Sequence, residues 1–86
     1  MKSILIVDDE RSIRETLEQI LSYEGYEILK AASGAEALQI VDDTVPGAIL
    51  LDVKMPGMDG FEVLANLQAR DVAAPVIVIS GHGDIQ

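Results

Sequence analysis

The chain has no cysteine among its 86 residues. That excludes a disulfide framework and a thiolate metal site, and it fits a reducing cytoplasm, the compartment we expect. Positive charge is scarce as well: six Lys and Arg stand against fifteen Asp and Glu, a formal net charge of −9. The acids are spread along the whole chain rather than gathered in a tail. Direct nucleic-acid binding, which needs a basic face, is therefore not expected; a basic partner or a bound cation is easier to accommodate. No apolar run approaches the roughly 18 residues that span a bilayer, so no membrane association is expected. The four apolar residues behind Met1-Lys2-Ser3 are too few for a signal-peptide core. Internal repeats and low-complexity stretches are absent too.

What is present is enough apolar material, 49% of residues, for one compact core and too much for a disordered chain. The length allows one domain at most. Two apolar runs end in acid: Ile4-Leu5-Ile6-Val7 leads into Asp8-Asp9, and Ala48-Ile49-Leu50-Leu51 leads into Asp52. Short continuous β-prone runs read as strands buried on both faces, hence a parallel sheet. In an open parallel sheet the chemistry lies beyond the carboxyl ends of the strands. Three carboxylates would converge there. Two such charges about 4 Å apart repel by roughly 4 kcal/mol at an effective dielectric of about 20, and a bound divalent cation is the commonest reason for keeping them together.

Strand and helix signals alternate along the chain. Strand one covers about Ser3 to Val7. Ile13, Leu17, Ile20 and Leu21 form one apolar stripe of a first helix, with Arg11, Arg14, Glu15 and Glu18 on its solvated faces and Gly25 at its C-terminal cap. Tyr23 and Tyr26 flank that glycine and are expected to pack at the helix-strand corner. Tyr26 to Ala31 reads as strand two, partly alternating and so nearer an edge. Ser33-Gly34-Ala35-Glu36 is a capping box opening helix two, whose apolar side is Ala37, Leu38, Ile40 and Val41 and which ends at Asp42 to Gly47. Strand three is Ala48 to Leu51. After a loop from Val53 to Asp59, a second capping arrangement at Asp59-Gly60-Phe61-Glu62 opens helix three on Phe61, Leu64, Ala65 and Leu67; Asp59 reads as its cap rather than as a ligand. Pro75 breaks the chain before strand four, Val76 to Ile79, which runs into Ser80-Gly81. The pattern is β-α-β-α-β-α-β with right-handed crossovers.

Asp8, Asp9 and Asp52 make a hard, oxygen-rich site, and magnesium prefers few carboxylates, several waters and a phosphate oxygen. With the hydroxyl of Ser80 nearby, the set suggests phosphoryl chemistry. His82 has no partners at ligand spacing and reads as a surface loop residue.

On three blocks the chain resembles the receiver domain of bacterial two-component response regulators: Ile4 to Glu10, Leu50 to Glu62 and Pro75 to Gly81. The resemblance covers essentially the whole chain in the right order and spacing. Ser80-Gly81-His82-Gly83 looks most like receivers attached to enhancer-binding transcriptional activators. The fold it implies is an α/β, flavodoxin-like doubly wound parallel sheet in the order 2-1-3-4. It also implies that Asp52 is the phosphoacceptor for a sensor histidine kinase. Asp9 would be the direct Mg2+ ligand and Asp8 would hold the ion mainly through water. The backbone carbonyl of Lys54 would be the third protein contact, and Ser80 the hydroxyl that bonds the phosphoryl oxygen and shifts on activation. Arg11 and Arg14 lie on the helix that meets the kinase in receivers. On this reading the domain is a phosphoacceptor with at most self-catalysed phosphorylation and dephosphorylation, not an enzyme.

The family pattern continues into a fourth helix, a fifth strand and a fifth helix, so residues 1–86 are expected to be a partial receiver domain. In the family, strand five supplies a lysine that pairs with the phosphoryl group and an aromatic residue coupled to the switch hydroxyl; here no lysine follows Lys54. The chain could be a fragment, could be completed by another copy through strand swapping or pairing at strand four, or could be a short form. Marginal stability or self-association is expected of it in isolation. Two other function classes compete. One is a phosphohydrolase with an aspartyl nucleophile, disfavoured because its second acid belongs two residues after the first at the end of strand one. The other is a truncated receiver acting only as an interaction or dimerisation module, without phosphotransfer.

Overall fold

The computed structural model describes residues 2–55 and 57–79. They form β1 (Ser3–Val7), α1 (Arg11–Tyr23), β2 (Glu27–Ala31), α2 (Gly34–Asp43), β3 (Ala48–Asp52), α3 (Gly60–Ala69) and β4 (Val76–Ile79). All pairings are parallel and the sheet order is β2-β1-β3-β4. The expected topology and strand order are therefore present, with β2 and β4 at the edges of the described sheet. Among the described residues no helix is long and apolar enough to cross a membrane.

Parity along the strands divides the core into two layers. Leu5, Val7, Ile49 and Leu51 face α2 and α3, where they join Ala31, Ala37, Leu38, Val41, Met55, Val63 and Leu67 in one buried cluster. Ile4, Ile6, Ala48 and Leu50 have the opposite parity, the side of α1. Both helices on the first side start with a side-chain cap. Ser33 accepts from the Glu36 amide, and Asp59 and Glu62 complete a capping box; Asp59 is thus a cap, as its position in the sequence suggested.

Three expectations about packing need correction. No residue of α1 is fully buried, and Ile20, placed on its apolar stripe, is 54% exposed. Tyr23 and Tyr26 do not pack into the corner: Tyr23 is 89% exposed and Tyr26 is exposed too. In α3 Leu67 is buried and Leu64 packs against the core as expected, but Phe61 faces solvent and the buried places beside them go to Gly60 and Val63. Phe61 and Leu64 share the i, i+3 spacing of Gly60 and Val63, so periodicity alone cannot choose between the two stripes; the close approach of Gly60 to the end of β3 decides it.

Candidate metal and phosphoacceptor centre

The carboxyl ends of β1 and β3 are adjacent in the sheet, with Val7 opposite Leu51. That pairing brings the three acids together. Asp8, Asp9 and Asp52 each offer a carboxylate oxygen, and these oxygens lie within 4.8 Å of one another. Asp52 is fully buried, Asp8 is 2% exposed and Asp9 is open to solvent. Asp52 has the parity of Leu50, and Asp8 continues that of Ile4 and Ile6, so the two buried acids stand at the top of the α1 side.

The turn after β1 is tightly held. The Asp8 amide donates to the Ala31 carbonyl (3.1 Å), and Asp8 Oδ1 accepts from the Glu10 amide (2.9 Å). Arg14 Nη1 donates to the Asp8 carbonyl (2.8 Å). The turn after β3 is fixed from both sides. Asp52 Oδ1 accepts from the Lys54 amide (3.2 Å), Val53 donates to the Ile79 carbonyl (3.4 Å), and Gly60 donates to the Val53 carbonyl (3.2 Å). A Cβ on Gly60 would run into Val53 Cα and would come within 2.7 Å of the Asp52 carbonyl oxygen. Glycine is what lets α3 begin against this turn.

Burial pushes the Asp8 carboxyl above the ordinary carboxylate range; the Glu10 amide opposes this, and the negative charges of Asp52 and Asp9 add to the rise. Burial and acidic neighbours thus disfavour the charged form of Asp8 in the absence of a cation. A hard divalent cation fits the site. The donors are all carboxylate oxygens, two buried and one exposed, which leaves a solvent side for the waters that magnesium retains.

Of the residues singled out in the sequence, Asp8, Asp9 and Asp52 are brought together and Lys54 lies on the turn beside them, while Ser80 and His82 fall outside the described residues. One residue was misread. Arg14, assigned to a solvated face, is half-buried and bonded to the acid turn. The available signal was its place one turn inside a helix, since helical side chains lean back toward the N-terminus.

Comparisons with known proteins agree with this architecture. The family model described as the response regulator receiver domain matches residues 4–86. The chain is similar to sporulation initiation phosphotransferase F of Bacillus subtilis, 42% identical over 84 residues, which are 98% of this chain and 68% of the relative. It is also similar to the response regulator MprA of a Mycobacterium species, 39% identical over 95% of this chain; it spans only 36% of that protein. Among solved structures, the Vibrio cholerae chemotaxis protein CheY4 superposes with a TM-score of 0.88 at 32% identity, covering 98% of this chain and 72% of that one.

Proposed function

The chain belongs to the response regulator receiver domain family, the signalling modules of two-component systems, and from that premise we propose that Asp52 accepts a phosphoryl group from a sensor histidine kinase in a Mg2+-dependent reaction. The modified state then switches a downstream, transcriptional output. The observation that carries this reading is the convergence of the three aspartates at the paired ends of β1 and β3. The phosphotransferase named among its relatives supports it.

In the proposed step an oxygen of the Asp52 carboxylate attacks phosphorus. The P–N bond of the kinase phosphoimidazole breaks, and its electron pair stays on the imidazole. The product is an acyl phosphate, a covalent carboxylate adduct that water can later cleave. When bound, Mg2+ would neutralise charge on the phosphoryl oxygens. Asp8 and Asp9 would hold the ion, Asp9 directly and Asp8 mainly through water, with Asp52 and the Lys54 carbonyl completing the protein contacts. Asp52 is held in place by the Lys54 amide and by the β3 ladder. Ser80 would bond the phosphoryl oxygen. The protein is a phosphoacceptor rather than an enzyme acting on other substrates, and we place it in the cytoplasm.

Incubation with Mg2+ and acetyl phosphate, followed by intact mass measurement, tests the reading. A phosphoryl adduct is expected, and its loss in Asp52→Asn. No adduct at saturating donor would overturn the phosphoacceptor role.

The described edge strand supports a second reading. Pro75 and Ile79 turn their carbonyls to β3, so alternation turns the peptide groups of Val76 and Val78 outward, beside the exposed side chains of Ile77 and Val78. Such an edge is a template for pairing with a second copy, as a homodimer or a strand-swapped oligomer without phosphotransfer. Sedimentation that shows only a compact monomer would count against it.

A further inference from the structure

α1 begins differently from the other helices. Ser33 and Asp59 cap α2 and α3 with their side chains, whereas Glu10, at the same position before α1, makes no side-chain cap bond. No acid stands in the first turn of α1 either. Yet this is the helix that follows directly on Asp8 and Asp9. Its junction is held by Arg14 instead. The Arg14 amide donates to the Glu10 carbonyl (3.1 Å) while its guanidinium reaches back six residues to the Asp8 carbonyl (2.8 Å). One residue thus grips both ends of the Asp8–Glu10 turn, and only the side-chain half of that grip depends on its being arginine.

We infer that Arg14 is a positioning residue of the acid site: its guanidinium fixes the turn that aims Asp8 and Asp9 at the place where the cation is bound. The inference rests on the cation-binding reading given above. Two effects of Arg14 oppose each other. Its positive charge beside the carboxylates weakens attraction for a cation, and its hydrogen bond keeps two of those carboxylates in place. Outer partners of metal-ligating groups typically govern affinity by about ten-fold or more when removed, so the loss of placement outweighs the relief of repulsion. Arg14 borders an open cavity of about 310 Å³ together with Arg11, Glu15, Lys30, Ala32 and Glu36, and a shortened side chain there leaves no new sealed void.

The test is a Mg2+ titration followed by amide NMR, with Arg14→Met, Arg14→Lys and, as a distant control, Arg70→Met. Amide hydrogen exchange of Glu10 is measured in parallel without metal. Arg14→Met should weaken Mg2+ binding about ten-fold and speed exchange at Glu10, whose amide is held by Asp8. Arg14→Lys, which keeps one donor, should restore most of both, and Arg70→Met should change neither. Unchanged or tighter Mg2+ binding in Arg14→Met would overturn the inference. Should the original chain bind no Mg2+, the cation-binding reading falls, and exchange at Glu10 alone then decides whether Arg14 fixes the turn. If Arg14→Met does not fold, Arg14→Gln replaces it.

Discussion

On one face of the sheet Leu5, Val7, Ile49 and Leu51 lie completely buried under α2 and α3; on the other, Ile4 and Ile6 are buried under α1 but Leu50 is only half-buried, and the edge strand β4 is exposed on both faces, at Ile77 and Val78. The covered face has helices with side-chain caps and two glycines, Gly34 lying against the side chains of Val63 and Met58 and Gly60 against the backbone of Asp52 and Val53. The open face has a helix with no buried residue and no side-chain cap. The buried acids Asp8 and Asp52 stand at its top. Stability and chemistry are thus separated by strand parity: adjacent residues such as Leu51 and Asp52 serve opposite ends.

The largest effect that would test this division is at Leu51. Leu51→Ala on the covered face should cost about 3 kcal/mol, the usual range for a fully buried leucine, read as a lower urea midpoint at unchanged slope. An unfolding midpoint within experimental scatter of the original chain would show that the covered face is not the stabilising one. Gly60→Ala comes next. Alanine gains about 1 kcal/mol of helix propensity over glycine, but the added Cβ meets the backbone of Val53 and Asp52, which cannot yield as a flexible side chain would. A net loss of about 2 kcal/mol is expected from such overpacking, together with weaker phosphorylation at the neighbouring Asp52. Unimpaired stability would mean that α3 can withdraw from the site at little cost.

Asp8→Asn should act in the opposite direction, and less strongly. Asp8 is buried with its carboxyl held above the ordinary range by that burial and by its acidic neighbours. Removing the charge should raise the thermal midpoint of the metal-free chain at neutral pH and abolish the rise that the proposed binding of Mg2+ to the native state would give. A fall in the metal-free midpoint would show that the charge-assisted bond from the Glu10 amide outweighs burial and repulsion at Asp8. Ile77→Thr on the open face should then change stability by no more than about 0.5 kcal/mol, as exposed substitutions do. A loss as large as that of Leu51→Ala would mean that the open face is covered in solution.

Much of this was legible in the sequence, for a physical reason. Strands buried on both faces leave continuous apolar runs, so β1 and β3 and their acid ends could be placed to within a residue, and from them the acid cluster followed; the sheet order came only with the resemblance to the receiver family. Caps announce themselves locally, as Ser33 with Glu36 and Asp59 with Glu62 do. The extent of cover did not. The stripe of Ile13, Leu17, Ile20 and Leu21 says that α1 has an apolar side, not how much partner surface that side meets, and Ile20 remains half-exposed. The choice between Phe61 and Val63 as the buried stripe of α3 was hidden because the deciding contact belongs to Gly60, which has no side chain to register in a hydrophobic pattern. Arg14 was misread because its partner is a backbone carbonyl, which no residue pairing in the sequence encodes.

The smallest expected effect lies on the covered face, outside its core. Arg70 and Asp42 form an exposed ion pair (2.8 Å) that ties the ends of α3 and α2. The hydrogen bond from Arg70 holds the Asp42 carboxyl below its ordinary value; burial opposes it, and the charge of Arg70 adds the smallest lowering effect. The stabilisation this represents is complete above the ordinary carboxylate value and disappears as the pH falls through the lowered one. Exposed pairs contribute little, and salt screens them. Arg70→Met should therefore leave the midpoint near neutrality almost unchanged and remove only a slight, salt-sensitive increment that fades in acid. If the covered face owes its stability to the packing of Leu51, Val63 and Leu67, this substitution changes nothing else. A large loss at neutral pH would instead place the tie between α2 and α3 at their exposed ends rather than in the core.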